Sequence, residues 1–197
     1  MIKICKIKKF RQINTGFTLI ETLIAISIFT MSILGLFMVL SQGIADTNYA
    51  KRKIIAAYLT QEGIEYIRNM RDTFVLYSAT SQTGWDAFNI YLTTNSCGTT
   101  NGCYFNADNL FSLAPPMPMT KITLAACSSS TCPNGALLYD STTGKYGFAG
   151  MASGYTRKIT MTTVSANETK IFSTVYWTQG SGNYSIIFSE NLFNWIE

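Results

Sequence analysis

The 24 residues from Thr22 to Ala45 carry no charge, and this run limits what the chain can become. About 20 apolar residues, each rising about 1.5 Å, cross the hydrocarbon of a bilayer as one helix. A cleaved secretory signal has an apolar stretch of only about 7–15 residues, followed by a small-residue site. One acid, Glu21, stands where the run begins. Residues 1–16 hold Lys3, Lys6, Lys8, Lys9 and Arg11 and no acid, a bias that keeps this end cytoplasmic. A charge inside hydrocarbon costs about 2.5–3.5 kcal/mol on insertion scales, so a carboxylate such as Glu21 is as a rule paired and functional.

Gly16-Phe17-Thr18-Leu19-Ile20-Glu21, continued by Thr22-Leu-Ile-Ala25, resembles the processing and methylation motif of type IV prepilins and type II secretion pseudopilins. The resemblance implies cleavage between Gly16 and Phe17 by a membrane-embedded aspartic prepilin peptidase. It also implies N-methylation of Phe17 and subunit docking through Glu21. The implied partners are that peptidase, other pilin or pseudopilin subunits, the inner-membrane assembly platform, and membrane lipid before assembly. The implied location is the cell membrane, single-pass with the C-terminal domain outside the cytoplasm, and then a pilus or pseudopilus at the cell surface. The implied role is that of a non-enzymatic fibre subunit, and the chain end, with Val175-Tyr-Trp177 and Leu192-Phe-Asn-Trp195, resembles the sheet termini of minor pilins; no cofactor is indicated. Two features depart from the family pattern. Met38 stands where many major pilins have a kinking proline, with Gly35 and Gly43 nearby, and the 16-residue leader is longer than is common. The rival reading, from another class, is an uncleaved bitopic adhesin or receptor.

Loss of residues 1–16 would remove five cations and leave ten Lys and Arg against eleven Asp and Glu. The remainder has no basic excess, so nucleic acid is not indicated as a partner. The chain has no histidine, which excludes histidine-based triads and the commonest transition-metal ligand. Neither a phosphate-binding glycine loop nor an EF-hand pattern occurs. Asn167-Glu-Thr and Asn183-Tyr-Ser match a glycosylation pattern that is frequent by chance. Tyr155 and Trp195 are candidate stacking aromatics, with core packing the simpler role.

Cys5 lies in the leader; the other four cysteines form two close pairs, Cys97/Cys103 and Cys127/Cys132. An even count in an exported domain reads as disulfides. Of three possible connectivities, two local loops are the simplest. The alternative is a four-cysteine zinc site, for which the first spacing, five intervening residues, exceeds the usual two to four. No metal is otherwise indicated.

Along the chain, Asp46 to Asp72 has no proline and one glycine, Gly63. Ile55, Leu59, Tyr66, Ile67 and Met70 fall on one face at helical spacing, with Gly63 on the same face. Lys51, Arg52, Gln61, Glu65, Arg68 and Arg71 fall on the other. This predicts one helix from Thr18 to Asp72. Residues 73–134 read as irregular, with Ala114-Pro-Pro-Met-Pro118 extended or turned and Trp85–Leu92 and Ile122–Ala126 as brief elements of undecided type. Gly135–Asp140 and Tyr146–Ala149 read as a hairpin. Arg157–Val164, Lys170–Thr178 and Tyr184–Leu192 read as strands with alternating apolar residues. These strands need a partner to bury their apolar face. The expected fold is therefore α+β: a long N-terminal helix, transmembrane in its first half, packed on a C-terminal antiparallel β-sheet. The expected organisation is a cleaved leader (1–16), a transmembrane and assembly helix (17–45), its amphipathic continuation (46–72), a variable connection (73–134) and a sheet region (135–197).

Overall fold

The computed structural model describes residues 16–105 and 123–194. The expected leader, except Gly16, the Ala114–Pro118 segment and Trp195 lie outside the described residues. The chain falls into two compact units, Met1–Asn48 and Tyr49–Glu197. Helix α1, Leu19–Leu76, contributes to both and ends four residues beyond Asp72. It is helical through Gly35, Met38 and Gly43.

In the first unit the large apolar side chains from Leu19, 79% exposed, to Ile44, 57% exposed, face outward, with Ile33 half-buried among them. The best 18-residue window of α1 has a mean hydropathy of 2.5 and none of it is buried. By length and composition this helix can cross a membrane. Its hydroxyls are also suited to that setting. Thr22, Ser27, Thr30 and Ser32 donate to the carbonyls of Leu19, Ile24, Ser27 and Ile28 at 2.8–2.9 Å, so none presents an unsatisfied donor to lipid.

The second unit is built on an antiparallel sheet of seven strands. In chain order they are β1 (Cys103–Phe105), β2 (Leu124–Ala126), β3 (Ala136–Asp140), β4 (Lys145–Gly147), β5 (Met151–Ser165), β6 (Glu168–Gln179) and β7 (Gly182–Phe193). The central strand, β5, pairs with β6 over most of its length. It also pairs with β3 through Ala136↔Thr156 and Leu137↔Tyr155, and with β1 at Cys103↔Ile159. β7 pairs with β6 without interruption from Gln179↔Gly182 to Glu168↔Phe193.

The sheet buries one face against the second half of α1. Ala56, Leu59, Thr60, Gly63, Ile64, Ile67, Met70 and Arg71 are the buried residues of that helix, a stripe at the i, i+3, i+4, i+7 spacing of an amphipathic helix. Ile55 and Tyr66 are only half-buried. Arg71, expected on the polar side, is buried: its Nη1 donates to Phe193 O at 2.8 Å and its Nε pairs with Asp72 at 2.6 Å. Gly63 marks the closest approach, since a Cβ there would collide with Ser173 Oγ and lie 3.2 Å from Arg157 Cδ and Ile159 Cδ1. Ile159, Met161, Ile171, Val175 and Trp177 are buried as the alternation predicts. On β7 the cover is incomplete. Leu192 is buried, but Ile186 is half-buried and Phe188 is 38% exposed, because a single helix does not reach across the outermost strand.

The connection is more ordered than expected. Ser81–Thr94 forms a second helix, α2, opened by a capping box in which Thr80 and Thr83 satisfy each other's backbone amides. Trp85, Phe88 and Leu92 are buried in the main core cluster with Ile67 and Met70. Trp85 Nε1 donates to Ala166 O at 2.7 Å, and Thr169 Oγ1 donates to Asn89 Oδ1 at 2.6 Å, which ties α2 to the β5–β6 end of the sheet.

Candidate functional site: the N-terminal segment

Gly16, Phe17 and Thr18 precede α1. The helix starts because the Thr18 carbonyl accepts from Glu21 N at 3.1 Å and from Thr22 N at 3.2 Å. Glu21 occupies the first turn, where a carboxylate is favoured by the helix dipole. Phe17 is 79% exposed and lies two residues ahead of the first helical residue. Phe17 therefore stands outside the helical turn that carries Glu21. A Cβ placed on Gly16 would meet nothing within 4 Å. Among the described residues, nothing packs where a side chain at position 16 would stand.

The cysteines pair locally. Cys97–Cys103 joins the turn after α2, three residues past Thr94, to β1, with Cα atoms 4.6 Å apart. Cys127–Cys132 closes the loop after β2, with Cα atoms 4.7 Å apart. Among the described residues no three His, Cys, Asp or Glu side chains converge as a metal site requires. Each disulfide closes so short a loop that its chain-entropy contribution is at most roughly 2–3 kcal/mol. Peptide mapping without reductant should recover both local pairs, whereas free thiols or bound zinc would contradict them.

Elsewhere in the second unit, a hollow of about 520 Å³ lies between α1 and the β3–β4 turn. Its walls include Leu59, Glu62, Tyr66, Asp140, Gly144 and Tyr146. The Asp140 carboxylate accepts from the Thr143 hydroxyl at 2.7 Å and from Thr142 N at 2.8 Å, which holds it below the ordinary carboxylate range. Both bonds serve the turn itself. Beside the hollow, Arg157 is buried and donates through Nη1 to Glu62 Oε2 at 2.8 Å. Burial lowers its pKa, and Glu62 acts in the opposite direction. The sequence reading did not single out this pair. The available clue was an arginine in an inward-facing position of a strand, two residues from Tyr155 and two from Ile159. Tyr155 belongs to the core, buried with its hydroxyl donating to Arg52 O at 3.2 Å. It is not a stacking surface.

Residues 11–37 match the family model of the prokaryotic N-terminal methylation motif, the signature of type IV pilins and pseudopilins. No curated protein and no solved structure matches the chain. The matched segment and the exposed apolar helix fit a protein of the pilin-like class, anchored in a membrane and then incorporated in a pilus-type fibre. Proteins with this motif are structural subunits, processed by a peptidase and assembled with other pilins.

Proposed function

We propose that the protein is a non-enzymatic minor pilin or minor pseudopilin. Prepilin peptidase cleaves it between Gly16 and Phe17, Phe17 is N-methylated, and α1 carries the subunit from the inner membrane into the fibre. Residues 17–45 serve as the membrane and assembly helix, and residues from Tyr49 onward form the domain displayed outside the cytoplasm. The observation that carries this reading is the match of residues 11–37 to the methylation motif at the head of an exposed apolar helix long enough to cross a membrane.

Mass spectrometry of the native protein tests the proposal. The expected N-terminus is methylated Phe17, and Gly16→Leu should accumulate as uncleaved membrane protein. Intact residues 1–16 in the mature wild type would favour the uncleaved adhesin or receptor.

A further inference from the structure

Lys51, Arg52 and Lys53 follow the uncharged run by six to eight residues, on the side away from the basic leader. Cations near a span normally gather on the cytoplasmic side, so a triplet on the far side calls for a partner. None of the three has an acid three or four residues away. The nearest acid, Asp46, accepts from Gln42 Nε2 at 3.1 Å. Among the described residues none of the three makes an ion pair.

Their arrangement identifies the partner. Successive helical residues turn by about 100° and rise about 1.5 Å. The three cations therefore point in three directions around α1 within about 3 Å of its length. Arg52 is turned to the sheet, and Lys51 and Lys53 lie to either side of it at one level of the helix. Charges on both flanks of the domain at one level match the plane of a bilayer surface better than a single protein patch. Arg52 Nη1 donates to Thr178 O at 3.1 Å. The Tyr49 ring lies 5.1 Å from Tyr184 and 6.5 Å from Trp177, with Lys53 Nζ 5.9 Å from its centroid. These contacts hold the uncharged Gly180–Ser181 turn, and Tyr184 at 38% exposure, close to the cations. Tyrosines beside a span are suited to the interface, where an apolar ring and a polar tip meet different solvents.

We infer that this end of the domain rests in the headgroup layer of the bilayer before assembly, with Lys51 and Lys53 on the phosphates of anionic phospholipid. Six residues of helix from Ala45 to Lys51 span about 9 Å. The polar layer on each side of the hydrocarbon is about 5–8 Å thick, and a lysine reaches the remaining distance along its own stem. The inference rests on the membrane-anchored reading and adds the lipid class to it.

The test uses the full chain in phosphatidylcholine bilayers containing spin-labelled phosphatidylglycerol or spin-labelled phosphatidylcholine. Electron paramagnetic resonance then reads the fraction of each label immobilised by the protein. Phosphatidylglycerol should be preferred several-fold. That preference should weaken at high salt and fall by up to roughly fivefold for each lysine replaced. It should fall in Lys51→Gln/Lys53→Gln to the residual level set by the five cations of residues 1–16 and Arg52, and be kept in Lys51→Arg/Lys53→Arg. Arg52 is left in place because it holds the β6–β7 turn. An undiminished preference in the glutamine variant would overturn the inference, as would no preference in the wild type. Competition by inorganic phosphate at matched ionic strength would overturn it in favour of a free-anion site. If neither label is immobilised, the chain has not inserted, and the anchored reading fails together with this one.

Discussion

Glu62→Gln is expected to destabilise the domain by about 3 kcal/mol, because it strands a charge inside the core. Arg157 is 2% exposed. Its Nη1 also reaches Leu59 O at 3.4 Å, its guanidinium lies 4.4 Å from the Phe105 ring centroid, and its Nη2 is buried with no hydrogen-bond partner among the described residues. Glu62 supplies the countercharge. Its own side chain is 34% exposed, so water offsets part of the loss, which places the effect at the lower end of the roughly 3–5 kcal/mol typical of broken buried pairs. Glutamine keeps an acceptor oxygen but not the charge. Replacing both residues by apolar ones, Glu62→Leu with Arg157→Met, should recover most of the loss, since well-packed apolar groups often match a buried pair. The measurement is denaturant unfolding of the detergent-solubilised chain, followed by the fluorescence of buried Trp85 and Trp177. A Glu62→Gln effect below about 1 kcal/mol, the range of exposed pairs, would show that the pair is effectively solvated.

The same pair marks where sequence reasoning stopped. Helix α1 and strands β5 to β7 were legible because each repeats a period over many residues: 3.6 along Ala56–Arg71 and two along Tyr155–Met161 and Ile171–Trp177. Arginine counts as polar in those patterns, which sets Arg71 outside and gives Arg157 no inward role. The structure buries both because their cationic tips find Phe193 O and Asp72 in one case and Glu62 in the other. Trp85–Leu92, within α2, reads from sequence only as a brief element of undecided type, for a different reason. Trp85, Phe88 and Leu92 do fall at helical spacing, but the segment opens with Ser, Gln, Thr and Gly84, which read as a loop. Gly84 is required by packing, since a Cβ there would lie 2.6 Å from Phe74 O and Val75 Cα. That approach of α2 to the end of α1 is a tertiary fact with no local signature. The N-terminal segment is legible for the opposite reason: it carries a contiguous motif, matched over residues 11–37, that does not depend on tertiary packing. Among the described residues Phe17 is 79% exposed and nothing lies within 4 Å of a Cβ on Gly16.

Glu21→Val should be inserted and cleaved normally and yet be nearly absent from sheared fibres. Insertion should if anything improve, because the substitution removes a charge worth about 2.5–3.5 kcal/mol in hydrocarbon. Cleavage should be unaffected because it centres on Gly16, five residues earlier. The loss appears at assembly. Cleavage creates an ammonium on Phe17, and in low-dielectric surroundings neither that cation nor the Glu21 carboxylate is tolerated alone. Within one chain Phe17 stands ahead of the first helical turn that carries Glu21, so no helical geometry locks the two together. A neighbouring subunit, offset along the fibre axis, can bring its own Phe17 amine to Glu21, which neutralises both charges and fixes the axial register. The pair then acts as a docking signal more than as a source of stability, since buried pairs often fail to repay their desolvation. Breaking it leaves one charge uncompensated at about 3–5 kcal/mol, and each 1.4 kcal/mol or so is a factor of ten. Incorporation should therefore fall at least roughly tenfold, with Glu21→Gln also strongly reduced. The measurement is the ratio of this protein in sheared fibres to that in membranes, wild type against variant. Normal incorporation of Glu21→Val would remove the electrostatic docking role, and with it much of the case for a polymerising subunit.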